Sequence, residues 1–241
     1  MRLKFFLLLF SCQALAQTKE VAHQNLYWTR YFNQLTINKQ WFWHNEIDNR
    51  RFLTNNRQHH LIMHTHLHYR LHPQVDVALG LTYSRQSPQF PDATSTLAVP
   101  EIRPFQELNF TQTFSKRFAL SHRFRIDHRF FRKNNGKQLL DGHDFNLRFR
   151  YRFQATYLLS KIDSKNPITL KIADELFVNA GKNIVLNHFD QNRIYVGIEQ
   201  GLHKNFSVEL GYMHWFQQRN TGYQFFGRDI LRLTVFHRVI L

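Results

Sequence analysis

The stretch Asp144–Tyr157, DFNLRFRYRFQATY, sorts into two chemically opposite sets of residues. Phe145, Leu147, Phe149, Tyr151, Phe153, Ala155 and Tyr157 alternate with Asp144, Asn146, Arg148, Arg150, Arg152, Gln154 and Thr156. A helix of 3.6 residues per turn would scatter both sets around its circumference. A strand, whose successive side chains point to opposite faces, keeps them apart. The stretch is therefore a strand with one apolar and one charged side.

The pattern recurs along the chain. Phe118, Leu120, His122, Phe124, Ile126, His128 and Phe130 alternate with Ser121, Arg123, Arg125, Asp127 and Arg129, and Leu61 to Leu71 alternates with His64, His66, His68 and Arg70. Residues 75–83, 168–178, 194–202, 206–216 and 231–241 follow the same rule, and residues 26–37, 41–52 and 101–114 do so less cleanly. That makes about eleven strands, many of the roughly 9 to 11 residues that a tilted strand needs to cross a bilayer. Tight connections at Asn38-Lys39, His72 to Gln74, Ser115-Lys116, His203 to Asn205 and, slightly longer, Asp163 to Pro167 take turns with longer loops at Gln86 to Pro100, Lys133 to His143, Asn179 to Gln191 and Gln218 to Arg228. Short turns at one end and longer loops at the other are the habit of bacterial outer-membrane barrels, which are even-stranded in single chains, so ten or twelve strands are expected.

Composition agrees. The 241 residues include 24 Phe and 9 Tyr but only 9 Gly and 6 Pro, which excludes disordered and collagen-like chains. One Cys excludes a disulfide scaffold and thiolate metal sites. Beyond the first residues no apolar run is long enough for a membrane helix. The start itself, basic at Arg2 and Lys4, apolar from Phe5 to Phe10 and closing on Ala14-Leu15-Ala16, reads as a secretory signal peptide over residues 1–16, cleaved near Ala16. Acylation of Cys12 in a lipoprotein box is the lesser alternative, because Phe10 fits such a box poorly. The expectation is all-β: one antiparallel up-and-down transmembrane β-barrel of about 10–12 strands over residues 17–241, in a bacterial outer membrane.

The charged face belongs in the lumen of such a barrel. Its presumed members nearly balance in charge and almost all of its bases are Arg, whose planar fork binds carboxylates bidentately. Glu101, Arg103, Glu107, Arg123, Arg125, Asp127, Arg129, Asp144, Arg148, Arg150, Arg152, Glu175 and Arg193 form the expected lumen network. Phe, Leu, Ile, Val and Tyr dominate the other face, with Trp41, Trp43 and Trp28 as interfacial aromatics. His122, His128, His214 and His237 fall on the same face and do not suit a bilayer midplane.

The spacing Glu101-x-Arg103, Arg123-x-Arg125-x-Asp127-x-Arg129-Phe130, Arg148-x-Arg150-Tyr151-Arg152, Glu175-x-Phe177 and Asn192-Arg193 before Gly197 resembles the secreted family called domain of unknown function 2490. Asp127 stands where the family pattern has Glu. The resemblance spans nearly all of the chain beyond the signal and implies an outer-membrane barrel of bacteria such as the Bacteroidetes; it implies no activity.

His64, His66 and His68 share one face, but alternate strand residues lie about 6.5 to 7 Å apart, too far for three ligands on one ion without a second strand. A polar lumen wall outweighs a metal site there, and no cofactor is called for. Ser84, Ser87, Asp92, Ser121, His122, His143, Asp144, His188 and Asp190 supply raw material for a hydrolase, with no Gly-x-Ser-x-Gly elbow and no selecting spacing. A net charge of +15 spread over strand faces without a recognition motif does not point to nucleic acid. The sequence thus favours a non-enzymatic barrel, a narrow channel or a structural or lipid-interacting protein. Its partners would be outer-membrane lipid, the barrel assembly machinery and small anionic solutes. A barrel enzyme acting on membrane lipid or lipopolysaccharide is the alternative, and a soluble periplasmic barrel with an apolar ligand the third reading.

Overall fold

The computed structural model describes residues 19–241; the expected signal peptide and its cleavage site lie outside the described residues. The chain is all β, with eleven strands: β1 (Glu20–Thr36), β2 (Trp41–Phe52), β3 (Gln58–His72), β4 (Val75–Gln86), β5 (Val99–Thr113), β6 (Phe118–Asn134), β7 (Leu139–Leu158), β8 (Ile168–Ala180), β9 (Phe189–His203), β10 (Phe206–Gln218) and β11 (Gln224–Ile240). Each pairs with its sequence neighbours, and β1 meets β11 to close the barrel. Closure leaves no sheet edge, so every strand has a hydrogen-bonding partner on both sides.

The even count expected from bacterial barrels is not what the chain adopts. An odd number of strands that alternate up and down leaves the first and last running the same way, and β1 lies parallel to β11 in unbroken register from Glu20 opposite Gln224 to Thr36 opposite Ile240. The remaining neighbours pair antiparallel. The start of β1 thereby sits at one end of the barrel and the end of β11 at the other. Connections 37–40, 73–74, 114–117, 159–167 and 204–205 share the end where β11 finishes, and 53–57, 87–98, 135–138, 181–188 and 219–223 share the end where β1 starts. Two loops differ from the sequence expectation. Lys133 to His143 is mostly strand, because β6 and β7 stay zipped as far as Asn134 opposite Leu139. The connection around Asp163 to Pro167 begins at residue 159 and is longer than a tight turn.

Alternation divides every strand between the two faces. Outward residues stay exposed, including Leu79 at 69%, Leu210 at 54% and Phe124 at 50%. Asp127, Glu101 and Arg228 on the inner face have 0% exposure. The outward histidines each find a polar partner on a neighbouring strand: His122 with Tyr151 Oη at 2.8 Å, His128 with Gln106 at 3.1 Å, His214 with Asp229 at 2.9 Å and His237 with Tyr31 Oη at 2.8 Å.

The interior is not polar throughout. Leu26, Trp28, Phe52, Ala173, Tyr195, Met213, Trp215 and Ile230 pack into an apolar cluster inside the barrel. Trp28 therefore corrects its expected place on the outer face: it lies inside, edge-on to Trp215 with ring centroids 5.8 Å apart, while Trp41 and Trp43 do face outward. The cluster needs two glycines. Gly197 on β9 and Gly211 on β10 are cross-strand partners, and the Tyr195 ring lies over both. A Cβ at either position would come within 2.1 Å of Tyr195 Oη. That close approach lets Tyr195 hydrogen-bond Glu209 at 2.6 Å. Gly211→Val should overpack this site and cost about 1 to 3 kcal/mol, measured as a lower unfolding temperature of the folded band on unheated gels; a variant as heat-resistant as the parent would contradict the packing.

Candidate functional site

The inner faces of β4 to β8 hold a chain of shared carboxylates. Glu101 takes Arg103 Nε at 2.9 Å and Arg129 Nε at 2.6 Å, and it also accepts from Ser84 at 3.1 Å and from Gln86. Asp127 takes Arg125 at 2.6 Å and Arg148 at 2.8 Å, with Arg150 at 3.6 Å. Arg125 continues to Glu107 at 3.1 Å, and Arg123 joins Glu107 at 3.8 Å to Glu175 at 2.6 Å. Arg150 closes the chain on Glu175 at 2.7 Å. Register explains part of the pattern: Arg125 faces Glu107 across β5 and β6 and Asp127 faces Arg148 across β6 and β7, whereas across β7 and β8 Glu175 faces Arg152 yet pairs with Arg150, two residues away. Inside a closed barrel an ionised carboxylate is tolerable only when its oxygens are filled, and two or three guanidinium groups fill them here.

Three residues of the expected network stand apart from it. Asp144 is exposed at the loop end, opposite Phe131, and makes no ion pair among the described residues. Arg152 has no carboxylate within 4.0 Å among those residues. Arg193 also has none; it donates to Gln191 at 2.9 Å and lies over the rings of Phe177 and Trp215, each 4.7 Å from its guanidinium carbon.

Sequence reasoning missed several members. Asp190 holds Arg148 from β9 at 3.3 Å, a contact that alternation alone does not give because a register shift in the β8–β9 pair at Phe177/Val178 offsets that end of β9. Glu209 gathers Lys171 and Arg232, both at 2.7 Å, and Glu199 gathers Lys171 and Arg238; alternation does place these five inside, and what it does not give is their pairing into a second network near the opposite end. Arg228 was hidden inside a segment read as loop. It is fully buried, donates to Gln24, Gln217 and Gln89, and stacks on Phe226 and Trp215. Extending the period-two pattern back from Arg232 through Ile230 would have found it.

Above the network, at the end of the longer loops, a cavity of about 1010 Å³ opens. Arg50, Arg103, Arg129, Arg148, Arg150 and Arg193 reach it from the strands, and Arg132 and Arg219 from the rim, against Asp144 and Asp190 as its acids. Arg219 has no ion pair among the described residues and rests on Phe90 and Phe226. Of the candidate hydrolase residues, Ser84 bonds Glu101 and Arg103, Ser121 bonds Thr111, and Asp190 bonds Arg148 and Gln191. His64 bonds Thr82 at 2.6 Å and lines the cavity, while His66 and His68 turn to each other at 2.8 Å.

Residues 25–226, which carry all of this network except Arg228 and the two arginines that follow it on β11, match the family described as Protein of unknown function (DUF2490). The chain belongs to that family. The match covers the resemblance seen in the spacing of Glu101 to Gly197. No curated protein and no solved structure matches the chain.

Asp127→Asn should be severe, because it removes half of a buried arrangement and leaves three guanidinium groups facing a neutral amide. We expect a loss of about 3 to 5 kcal/mol in unfolding measurements. Arg150→Leu should lower heat resistance in the same assay, and an unchanged midpoint in both variants would show that the network contributes no stability.

Proposed function

We propose that this DUF2490 chain is a non-enzymatic bacterial outer-membrane β-barrel whose lumen is closed by ion pairs and which receives small anionic solutes at its loop end. The observation that carries this reading is the inversion of the two faces. Large apolar side chains cover the outside along whole strands, whereas carboxylates and guanidinium groups fill the inside. Hydrocarbon suits the first face, and paired charges suit a space sealed from it. The alternating Leu231, Leu233, Val235, His237, Val239 and Leu241 supply a terminal strand of the kind that barrel assembly machinery receives. Residues 1–16, read as a signal peptide, would direct the chain to export.

A filled lumen argues against a wide pore. The arginine excess at the cavity favours anions, and Arg193 and Arg219, without carboxylates of their own among the described residues, are the natural first contacts. Titration of the detergent-solubilised barrel with inorganic phosphate should give binding that weakens in the Arg193→Gln, Arg219→Gln double variant; absence of binding in the parent would remove the solute from the proposal.

The location is tested separately. Cell fractionation should recover the protein in the outer membrane, as a band that migrates faster unheated than heated. Phe149→Arg, placed on the outward face of β7, should reduce insertion by about 2 to 4 kcal/mol if it lies near the bilayer midplane. Recovery as a soluble periplasmic protein would contradict the reading.

A further inference from the structure

The lumen histidines are grouped differently from the sequence expectation. His44 on β2 is the cross-strand partner of His66 on β3, and His68 follows two residues on, so the second strand that the spacing of His64, His66 and His68 lacked is β2. His44, His66 and His68 each offer a ring nitrogen, and all three atoms lie within 4.8 Å of one another. The ring centroids are 4.3 to 5.0 Å apart.

Three features show that this grouping is built. Asp76 lies 2.6 Å from His68 Nδ1 and is itself held by Asn109 at 2.9 Å. A carboxylate on Nδ1 orients the imidazole and leaves the lone pair on Nε2, the arrangement found behind metal-ligating histidines. That Nε2 lies 2.8 Å from His66 Nδ1, a contact between two ring nitrogens that a shared ion would replace. Second, the Nε2 atoms of His44 and His66 are buried with no hydrogen-bond partner, and the His66 side chain is only 5% exposed. His66 Nε2 instead lies 3.6 Å from Glu46 Oε1, beyond hydrogen-bond range, and the other oxygen of Glu46 faces Arg30 at 3.5 Å. Third, Gly80 faces His66 across β3 and β4, and a Cβ there would lie 2.5 Å from the Cβ of His66. Aromatic rings enclose the trio, with Phe42 stacked on His68 and Phe32 edge-on to His44.

Ring nitrogens of three histidines from two strands, two of them buried without a hydrogen-bond partner and with a carboxylate beside them, form a donor set for a cation. We propose that His44, His66 and His68 bind one divalent transition-metal ion of the zinc class inside the lumen, with Glu46 as the adjacent carboxylate. Three imidazoles and an oxygen donor are the ligand chemistry of such ions. A tetrahedral zinc site sets neighbouring donors about 3.4 Å apart. Closing from the present spread needs small rotations of the three rings about their side-chain bonds. The ion would tie β2 to β3 from inside. This inference rests on the barrel interior alone and is independent of the membrane setting and of the anion cavity.

The test is titration of the folded, detergent-solubilised full chain, stripped with chelator, with Zn²⁺ by calorimetry and with Co²⁺ by visible absorption. One ion per chain is expected, with the intense absorption of low-coordinate Co²⁺, and a raised unfolding temperature when Zn²⁺ is present. His44→Gln and His66→Gln should each abolish binding while the heat-modifiable band shows that the barrel still forms. Asp76→Asn should weaken it about 10- to 100-fold. His64→Gln, which alters a histidine bonded to Thr82 instead, should leave it unchanged. No binding by the folded parent, or loss of binding in His64→Gln equal to that in His66→Gln, would overturn the proposal. If the His44 and His66 variants do not fold, the Co²⁺ spectrum of the parent decides: an octahedral, weakly absorbing form would overturn it.

Discussion

Asp127 has no contact with water and three arginines within reach, and the rest of the barrel interior is arranged around that arrangement and its repeats at Glu101, Glu175 and Glu209. A lone carboxylate in a closed lumen would be held at great cost; one shared among guanidinium groups from its own and the neighbouring strand becomes a cross-link. Because each arginine also reaches a second carboxylate, as Arg125 does with Glu107 and Arg150 with Glu175, the links fix the relative height of β5, β6, β7 and β8. A register slip of one residue would turn every charge of a strand outward and every Phe and Leu inward. The ion network and the apolar exterior thus enforce the same register from opposite faces.

The other half of the interior is held differently. Between β8 and β2, across the parallel seam of β1 and β11, the Glu199 and Glu209 pairs adjoin a cluster of Trp28, Trp215, Tyr195 and Ile230, where Arg193 and Arg228 meet ring faces and amides instead of acids. Stacking a guanidinium on an aromatic face keeps the cation compensated where a carboxylate is lacking. The proposed anion site draws on this difference, since arginines stacked on rings retain donors for a solute, whereas those clamped on Asp127 do not. The proposed metal site uses a third solution, imidazoles of two neighbouring strands turned toward one another.

Much of this was legible in the residues. Strict alternation from Asp144 to Tyr157 and from Phe118 to Phe131 decided the strands, the inward set and the pairing of Arg125, Asp127 and Arg150, because period two leaves a strand no other way to sort such sequences. What escaped depends on distances across the barrel. The seam of β1 with β11 joins residues more than two hundred positions apart, and the sequence near Glu20 carries no sign of its partner at Gln224. Trp28 turns inward with Gln24 and Leu26 on one face of β1, a large apolar side chain on the face that other strands give to charge. His44 has the inward parity that outward Trp41 and Trp43 imply, but its place opposite His66 depends on the β2–β3 register.

The central claim is that the apolar face meets lipid and the charged face does not. The one cysteine, Cys12, lies in the segment read as a signal, which makes single-cysteine labelling of β7 direct. Nitroxide labels at Leu147→Cys, Phe149→Cys and Tyr151→Cys should, in lipid vesicles, relax strongly with oxygen and weakly with an aqueous nickel chelate. Labels at Asn146→Cys and Gln154→Cys should show far less oxygen exposure. Equal access of the nickel chelate to the outward set would contradict the account and return the barrel to water.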